Sequence, residues 1–246
     1  MILKNKNILI TGAGKGIGES CVNTFIRNGS FVYALIKDKK DNKKFKKHKN
    51  VKIYNGNVKN IKLFSKILSD SKKNKKPINC LVNNAGVRFR KEFLKIKKTE
   101  LTNIFEINFM SIFYIMQVFS NFVIKNKIKG SVINISSIVG QLGFKDLSAY
   151  ASSKGALTAL TKSYSVEMSK FGIRANSISP GFVKTSFFEK FKNKRKKLYN
   201  WTLSRTPQNR WADPNEIAEL IGFVLSDKSK YLNGENISID GGWTNA

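Results

Sequence analysis

The sequence predicts an α/β protein built as a doubly wound parallel sheet of seven strands, with helices on both faces and one Rossmann-like domain over residues 1–246. Three observations carry this. Short apolar runs alternate with amphipathic segments from end to end, the order that a parallel sheet covered by helices requires. The first apolar run enters a glycine-rich turn that opens a helix. No internal repeat or flexible linker divides the chain.

Lys6 to Gly12 is a short apolar strand leading into Thr11-Gly12-Ala13-Gly14-Lys15-Gly16-Ile17-Gly18, and Gly16 to Arg27 follows as helix. Glycines let a backbone approach a pyrophosphate, and the free N–H groups of a helix N-terminus attract its charge. The second strand, Phe31 to Lys37, ends where dinucleotide folds hold the adenosine ribose. There a carboxylate serves a 2′-hydroxyl and a cation a 2′-phosphate. Lys37, with Lys15 in the glycine turn, favours NADP(H) over NAD(H); Asp38 is the competing carboxylate.

Val51 to Val58 is a third strand, whose end sets Asn57 or Val58 near an adenine ring, and Ile61 to Ser71 is helical. Ile78 to Gly86 is a fourth strand, ending in Asn83-Asn84-Ala85-Gly86. Thr99 to Lys125 is a long amphipathic helix with Asn108 among apolar neighbours, and a buried Asn must find partners. Ser131 to Ser137 is the fifth strand, Ser148 to Phe171 a helix, and Gly172 to Gly181 a sixth strand broken at Pro180-Gly181. Residues 182–211 are rich in Phe, Lys and Trp, lack a clean period and read as a mobile lid. Asp213 caps a helix with Pro214 in its first position, and Asn236 to Asp240 closes the sheet. Gly12, Asn83, Ser137 and Pro180 all fall at C-terminal strand ends, where such sheets bind ligands.

Composition narrows the function classes. The formal charge is +29, which raises the question of an anionic partner. The charge is mostly Lys, spread along the whole chain with abundant Asn, Ile and Phe, as an AT-rich genome would impose. It is not gathered with stacking aromatics into one patch, so nucleic acid is not expected as a partner. No run approaches the roughly 18 apolar residues of a membrane span. Cys21 and Cys80 sit in apolar contexts and fit a reducing, cytoplasmic setting. The single His48 lies in a charged stretch, which argues against a metal site or a His-based triad.

The chemistry concentrates between Ser136 and Lys154. Tyr150 and Lys154 stand one helical turn apart on one face. A Lys beside a Tyr favours the phenolate and should lower a phenol pKa that is otherwise about 10. Such a phenol can exchange a proton with an alcohol or carbonyl oxygen, and Ser137 can hydrogen-bond the same oxygen. A Tyr and a Lys at this spacing also occur in ordinary amphipathic helices, so the pair gains weight only from the rest of the chain.

Taken together, TGAGKGIG, NNAG, Asn108, Ser137, YASSK, PGFVKT and the final DGGW resemble the short-chain dehydrogenase/reductase family over essentially the full length. GIRANSISPGFVKT and YLNGENISIDGGW are most similar to its 3-oxoacyl-(acyl-carrier-protein) reductase branch, a branch of fatty acid biosynthesis. The resemblance implies Tyr150 as general acid in reduction and Ser137 as the residue orienting the carbonyl. It implies Lys154 on the nicotinamide ribose and Asn108 holding a water in line with Lys154. Gly12, Lys15, Gly16, Ile17 and Gly18 would carry the phosphates, and Asn83, Ala85 and Gly86 the adenosine side. Pro180, Gly181, Val183 and Thr185 would meet the nicotinamide.

It further implies NADPH-dependent reduction of a 3-oxoacyl thioester on an acidic acyl carrier protein, by a homotetramer. The competing readings are a reductase of a sugar or other small polar metabolite and, more remotely, a non-enzymatic basic binding protein. Several positions depart from the pattern. Asn57 stands where an Asp is usual, Asn233 replaces a common Thr, and Trp211 follows the Arg of TPxxR in place of a small residue. Lys125, Lys127, Lys129 and Lys170 lie in regions that dock the carrier, but Phe171 takes the place of an expected basic residue. Val87-Arg88-Phe89-Arg90 follows NNAG beside the expected substrate mouth, where its arginines either meet an acidic substrate or are surface charge.

Overall fold

The computed structural model describes residues 1–46, 48–185 and 188–246, without the side chains of 189 and 190; Ser186 and Phe187 of the expected lid lie outside it. In chain order the elements are β1 (Asn7–Thr11), α1 (Gly16–Arg27), β2 (Phe31–Ile36), β3 (Val51–Asn55), α2 (Ile61–Lys73) and β4 (Cys80–Asn83). Then come α3 (Lys98–Phe105), α4 (Ser111–Lys125), β5 (Gly130–Ile135), α5 (Ser148–Ser169) and β6 (Ile173–Pro180). Two short helices, α6 (Phe188–Lys194) and α7 (Lys196–Ser204), precede α8 (Pro214–Leu225) and β7 (Asn236–Ile239).

The strands form one parallel sheet in the order β3-β2-β1-β4-β5-β6-β7. The chain works outward from β1 to β3 and then returns to β4 on the other side of β1. The reversal opens a crevice at the C-terminal strand ends between β1 and β4.

Alternation along the strands divides the core. Ile8 and Ile10 of β1 face a cluster with Cys21, Val22 and Phe25 of α1 and Ile217, Ile221 and Val224 of α8. Leu9 points the opposite way, into a cluster with Phe64 and Ile67 of α2, Ile115 and Phe119 of α4 and Leu157 of α5. Both cysteines are buried free thiols, and burial pushes the Cys80 thiol up to about 12.

Three local differences from the sequence reading have physical causes. The third strand stops at Asn55 because the Asn57 side chain accepts the Lys59 N–H at 3.1 Å and turns the backbone away. The expected lid is not irregular: α6 and α7 fold there around Trp211. The long helix of residues 98–125 opens into a π-turn at Glu106–Met110, centred on the fully buried Asn108. By length and composition that helix passes for a membrane span, with a mean hydropathy of 1.6 over an 18-residue window, although polar residues break its apolar run. Its apolar side instead packs on the sheet through Ile112, Ile115, Met116 and Phe119.

Candidate active site

A cavity of about 330 Å³ opens at the crevice. Ser137, Tyr150 and Lys154 line it together with Ile17, Gly86, Pro180, Gly181, Val183 and Thr185. Chain segments far apart in sequence thus meet on one wall. The strand ends place Ser137 and Pro180, and α5 presents Tyr150 and Lys154 one turn apart.

The wall is held rigidly. Ser137 follows two residues after β5 and its hydroxyl accepts the Val139 N–H at 3.2 Å, capping a short turn over residues 138–140. A Cβ on Gly140 would lie 2.9 Å from the Lys154 carbonyl carbon, so no larger residue fits there without displacing α5. Ser136 Oγ donates to the Lys154 carbonyl at 3.1 Å and ties the strand end to the helix.

Lys154 is 4% exposed, and its Nζ donates to the Ile135 carbonyl at 2.6 Å. Burial lowers its pKa to about 8. Tyr150 is half-buried on the cavity wall, and desolvation by the protein around its phenol raises its pKa. Two influences work in the other direction, the positive charge of Arg88 and a hydrogen bond with the Ser137 hydroxyl. The lowered phenol pKa expected from the Tyr–Lys spacing is therefore corrected for the cofactor-free chain. Lys154 is itself desolvated and turned to a backbone carbonyl, 5.9 Å from the Tyr150 ring centre. Tyr150 is a neutral phenol at neutral pH, ready to donate a proton.

Asn108 sits behind this wall. Its Oδ1 accepts the Val87 N–H at 2.8 Å, and its Nδ2 donates to the Val87 carbonyl at 2.9 Å and to Ser153 Oγ at 3.1 Å. The π-turn points this amide at the backbone after the NNAG motif and locks that segment to α5. One accepting position of Oδ1 is left for a further donor. A Cβ on Gly86 would come within 3.2 Å of Asn108 Oδ1 and 3.6 Å of Lys154 Nζ, so Gly86 is the spacer between the two.

The glycine turn fits a dinucleotide. Gly12 and Gly16 adopt positive φ (65° and 56°), and a Cβ on Gly18 would strike the Gly12 carbonyl oxygen at 2.2 Å. The α1 N-terminus has no side-chain cap at Lys15, which leaves its N–H groups to an anion. Gly16 faces Thr185 across the crevice, joining the turn to the cavity.

Other expected cofactor residues lie farther out or inside. Lys37 is exposed beyond the end of β2, and Asn57 and Val58 lie past β3. Asp38 accepts the Lys40 N–H at 3.2 Å and pairs with the Lys40 ammonium at 3.1 Å. Asn83 does not reach the cavity: it is buried and donates to Asn134 Oδ1 at 2.8 Å. Its neighbour Asn84 lines the cavity instead, with Nδ2 donating to the Thr11 and Gly12 carbonyls at 3.1 Å each. Ala85 is pinned through its N–H to Thr11 Oγ1 at 3.0 Å.

Sequence reasoning missed Asn84, Phe144 and Leu147 as cavity residues, and Lys44 beside the glycine turn. The strand's period identified which of the two NNAG asparagines faces inward only once its end was known. Lys44 Nζ donates to the Gly14 carbonyl at 2.8 Å and pairs with Glu19 at 2.7 Å, a contact no local pattern announces. Lys125, Lys127, Lys129 and Lys170 are exposed, but they precede β5 and β6, at the end of the sheet opposite the cavity. Within one chain they do not flank the site.

Comparison with known proteins agrees with this geometry. A family model described as enoyl-(acyl carrier protein) reductase matches residues 12–244. The 3-oxoacyl-(acyl-carrier-protein) reductase FabG of Thermotoga maritima is 32% identical over 98% of this chain and 99% of its own length. Among solved structures, NADP-bound ElxO is 27% identical with a TM-score of 0.91, covering 98% of this chain and 99% of its own. The NADH complex of 4-hydroxyisoleucine dehydrogenase is 29% identical with a TM-score of 0.90, at the same coverage. With its parallel sheet, its glycine turn and its Ser137–Tyr150–Lys154 wall, the chain belongs to the short-chain dehydrogenase/reductase family, as a nicotinamide-dependent oxidoreductase acting between a carbonyl and an alcohol.

Proposed function

We propose that the protein reduces the ketone of a 3-oxoacyl thioester to the 3-hydroxyacyl product with NADPH, the acyl group being carried on acyl carrier protein. The observation that carries this reading is the Ser137–Tyr150–Lys154 wall in a chain aligned end to end with an acyl-carrier-protein reductase. When bound, NADPH supplies the hydride that reaches the carbonyl carbon.

The chain's own residues do the rest. Ser137 donates to the ketone oxygen and fixes its orientation. Tyr150, neutral because its phenol is desolvated, donates the proton as charge develops on that oxygen. Lys154 holds the nicotinamide ribose with its ammonium, and Asn108 uses its remaining acceptor position to hold a water that resupplies the proton. The α1 N-terminus and Lys15 bind the phosphates, and Pro180, Gly181, Val183 and Thr185 bound the nicotinamide.

Preference for NADPH rests on Lys15 and Lys37 near the expected 2′-phosphate. The competing carboxylate of Asp38 is engaged by Lys40, and the nearby Lys15 adds to that neutralisation. A homotetramer suits the apolar side chains left exposed on α4 and α5 and just past α5: Phe113, Tyr114, Val166, which is 78% exposed, and Phe171. In such an assembly the lysines at the far ends of α4 and α5 would serve a carrier docked at a neighbouring subunit's site.

The test is NADPH oxidation by the purified protein with acetoacetyl-CoA, repeated with NADH. Turnover that is faster with NADPH is expected. An inert thioester with NADPH bound would transfer the reading to a small polar ketone.

A further inference from the structure

Arg88 stands in the same cavity as Ser137 and Tyr150, and its charge acts on the Tyr150 phenol without handling the proton itself. Its backbone is set by its neighbour: both polar groups of Val87 are taken by the Asn108 amide, at 2.8 and 2.9 Å. The residue meets solvent through the cavity mouth, yet the protein around its guanidinium disfavours the charge, and Arg90 and Arg195 nearby disfavour it further. Among the described residues no carboxylate or carbonyl accepts from Arg88. Asp146 on this rim is approached by Arg90 at 3.7 Å, and Arg90 also donates to the Lys145 carbonyl at 3.2 Å.

A guanidinium with five donors, at the mouth of a cavity, flanked by like charge and given no acceptor by the protein, is left with only water to bond and gains no stability from its place. A substrate oxygen delivered to the cavity would satisfy it through a charge-assisted bond. The neutral reading, that Arg88 is surface charge, does not account for its place on the wall beside the proton donor.

We propose that Arg88 is the specificity-determining residue of this site, holding the acyl oxygen that a 3-oxoacyl compound carries next along its chain from the ketone being reduced. The inference rests on the ketone-reductase reading given above and deepens it. That oxygen belongs either to a thioester or to a free carboxylate; the chemistry at Arg88 is the same.

The experiment compares wild type, Arg88→Ala and Arg88→Lys at saturating NADPH, with acetoacetyl-CoA, acetoacetate and 2-butanone, which lacks the second oxygen. Arg88→Ala is expected to lower kcat/KM for the acetoacetyl substrates by about 10- to 100-fold, the worth of a hydrogen bond to a charged group. 2-Butanone, which can lose only the influence of the Arg88 charge on Tyr150, should fall by far less, the dissociation constant for NADPH should not move, and Arg88→Lys should restore only part of the loss. A steeper dependence for acetoacetate assigns the free carboxylate; a steeper one for acetoacetyl-CoA assigns the thioester. An equal loss on all three ketones, unchanged turnover, or weakened NADPH binding would each overturn the assignment.

Calorimetric binding of acetoacetyl-CoA to the NADPH-saturated protein reads the contact without chemistry. Binding that ignores the Arg88→Ala change overturns the assignment even if wild type turns over. Arg88-dependent binding without turnover of any ketone would keep it and sink the proposed reaction instead.

Discussion

The two walls of the cavity are built on different physics. The wall bearing Ser137, Tyr150 and Lys154 is polar and fixed by the backbone: a strand end, a tight turn at Gly140 and one face of α5. The facing wall, from Phe182 to Trp211, is an aromatic cluster. Phe182 and Phe188 lie 5.1 Å from Trp211 between ring centres, Phe191 5.2 Å and Tyr199 5.6 Å. The first wall sets which bond is made, and its residues admit little variation. The second is held by ring packing alone and can be rebuilt from other side chains of similar volume, so on the reading proposed above it shapes the space around the substrate while Arg88 bonds its oxygen.

The largest expected effect tests the first wall. Tyr150→Phe removes one oxygen from the cavity wall and leaves the ring in place. Turnover should fall by about 100- to 10,000-fold, the usual worth of a positioned general acid, while NADPH affinity and thermal midpoint stay close to wild type. If the variant turns over normally, the proton comes from elsewhere and the division between the walls is wrong.

Trp211→Ala tests the second wall. Its indole is 4% exposed, and Nε1 donates to Thr202 Oγ1 at 2.8 Å, so the ring holds α7 as well as the three phenylalanines. Truncation removes packing worth about 3–5 kcal/mol. The expected result is a raised KM for the ketone with a smaller loss of NADPH affinity, because Val183 and Thr185 share this segment while the phosphates sit at the glycine turn and α1. Equal loss of NADPH binding would show the two walls to be one cooperative unit.

These walls also differed in how much of them could be read in advance. Tyr150 and Lys154 are four positions apart on one helix, and helical geometry alone puts them side by side. The seven strands were legible because short apolar runs are local, and Asp213 followed by Pro214 announced α8, to which the structure adds Glu216 accepting the Asp213 N–H at 2.8 Å. Trp211 meets Phe182, Phe188, Phe191 and Tyr199 through contacts between turns and short helices, with no period to betray them. Asn108 was visible as a polar residue in an apolar helix. The π-turn that aims it at Val87 was not, because one extra residue in a helical turn leaves no mark on composition. The phenol pKa was misjudged for a related reason: spacing shows that Lys154 is near Tyr150, but not that burial weakens both charges together.

Lys154 gives the smallest of these effects and the one that links the first wall to stability. Its pKa falls from 10.5 to about 8 because the ammonium is buried. A folded-state pKa below the unfolded value means that the folded chain binds fewer protons between those limits. Stability therefore rises with pH through that window, and the full deficit is present below about pH 8. The shift corresponds to roughly 3 kcal/mol. Lys154→Met, similar in length and without charge, should raise the urea midpoint at pH 7. Its advantage over wild type should shrink as the pH climbs toward 10.5. If the variant is instead less stable at pH 7, the bond from Nζ to the Ile135 carbonyl outweighs the cost of burial, and the lysine is part of the framework as well as of the chemistry. The expected gain would mean that this wall carries a charge the fold would be better without, retained because the reaction needs it there.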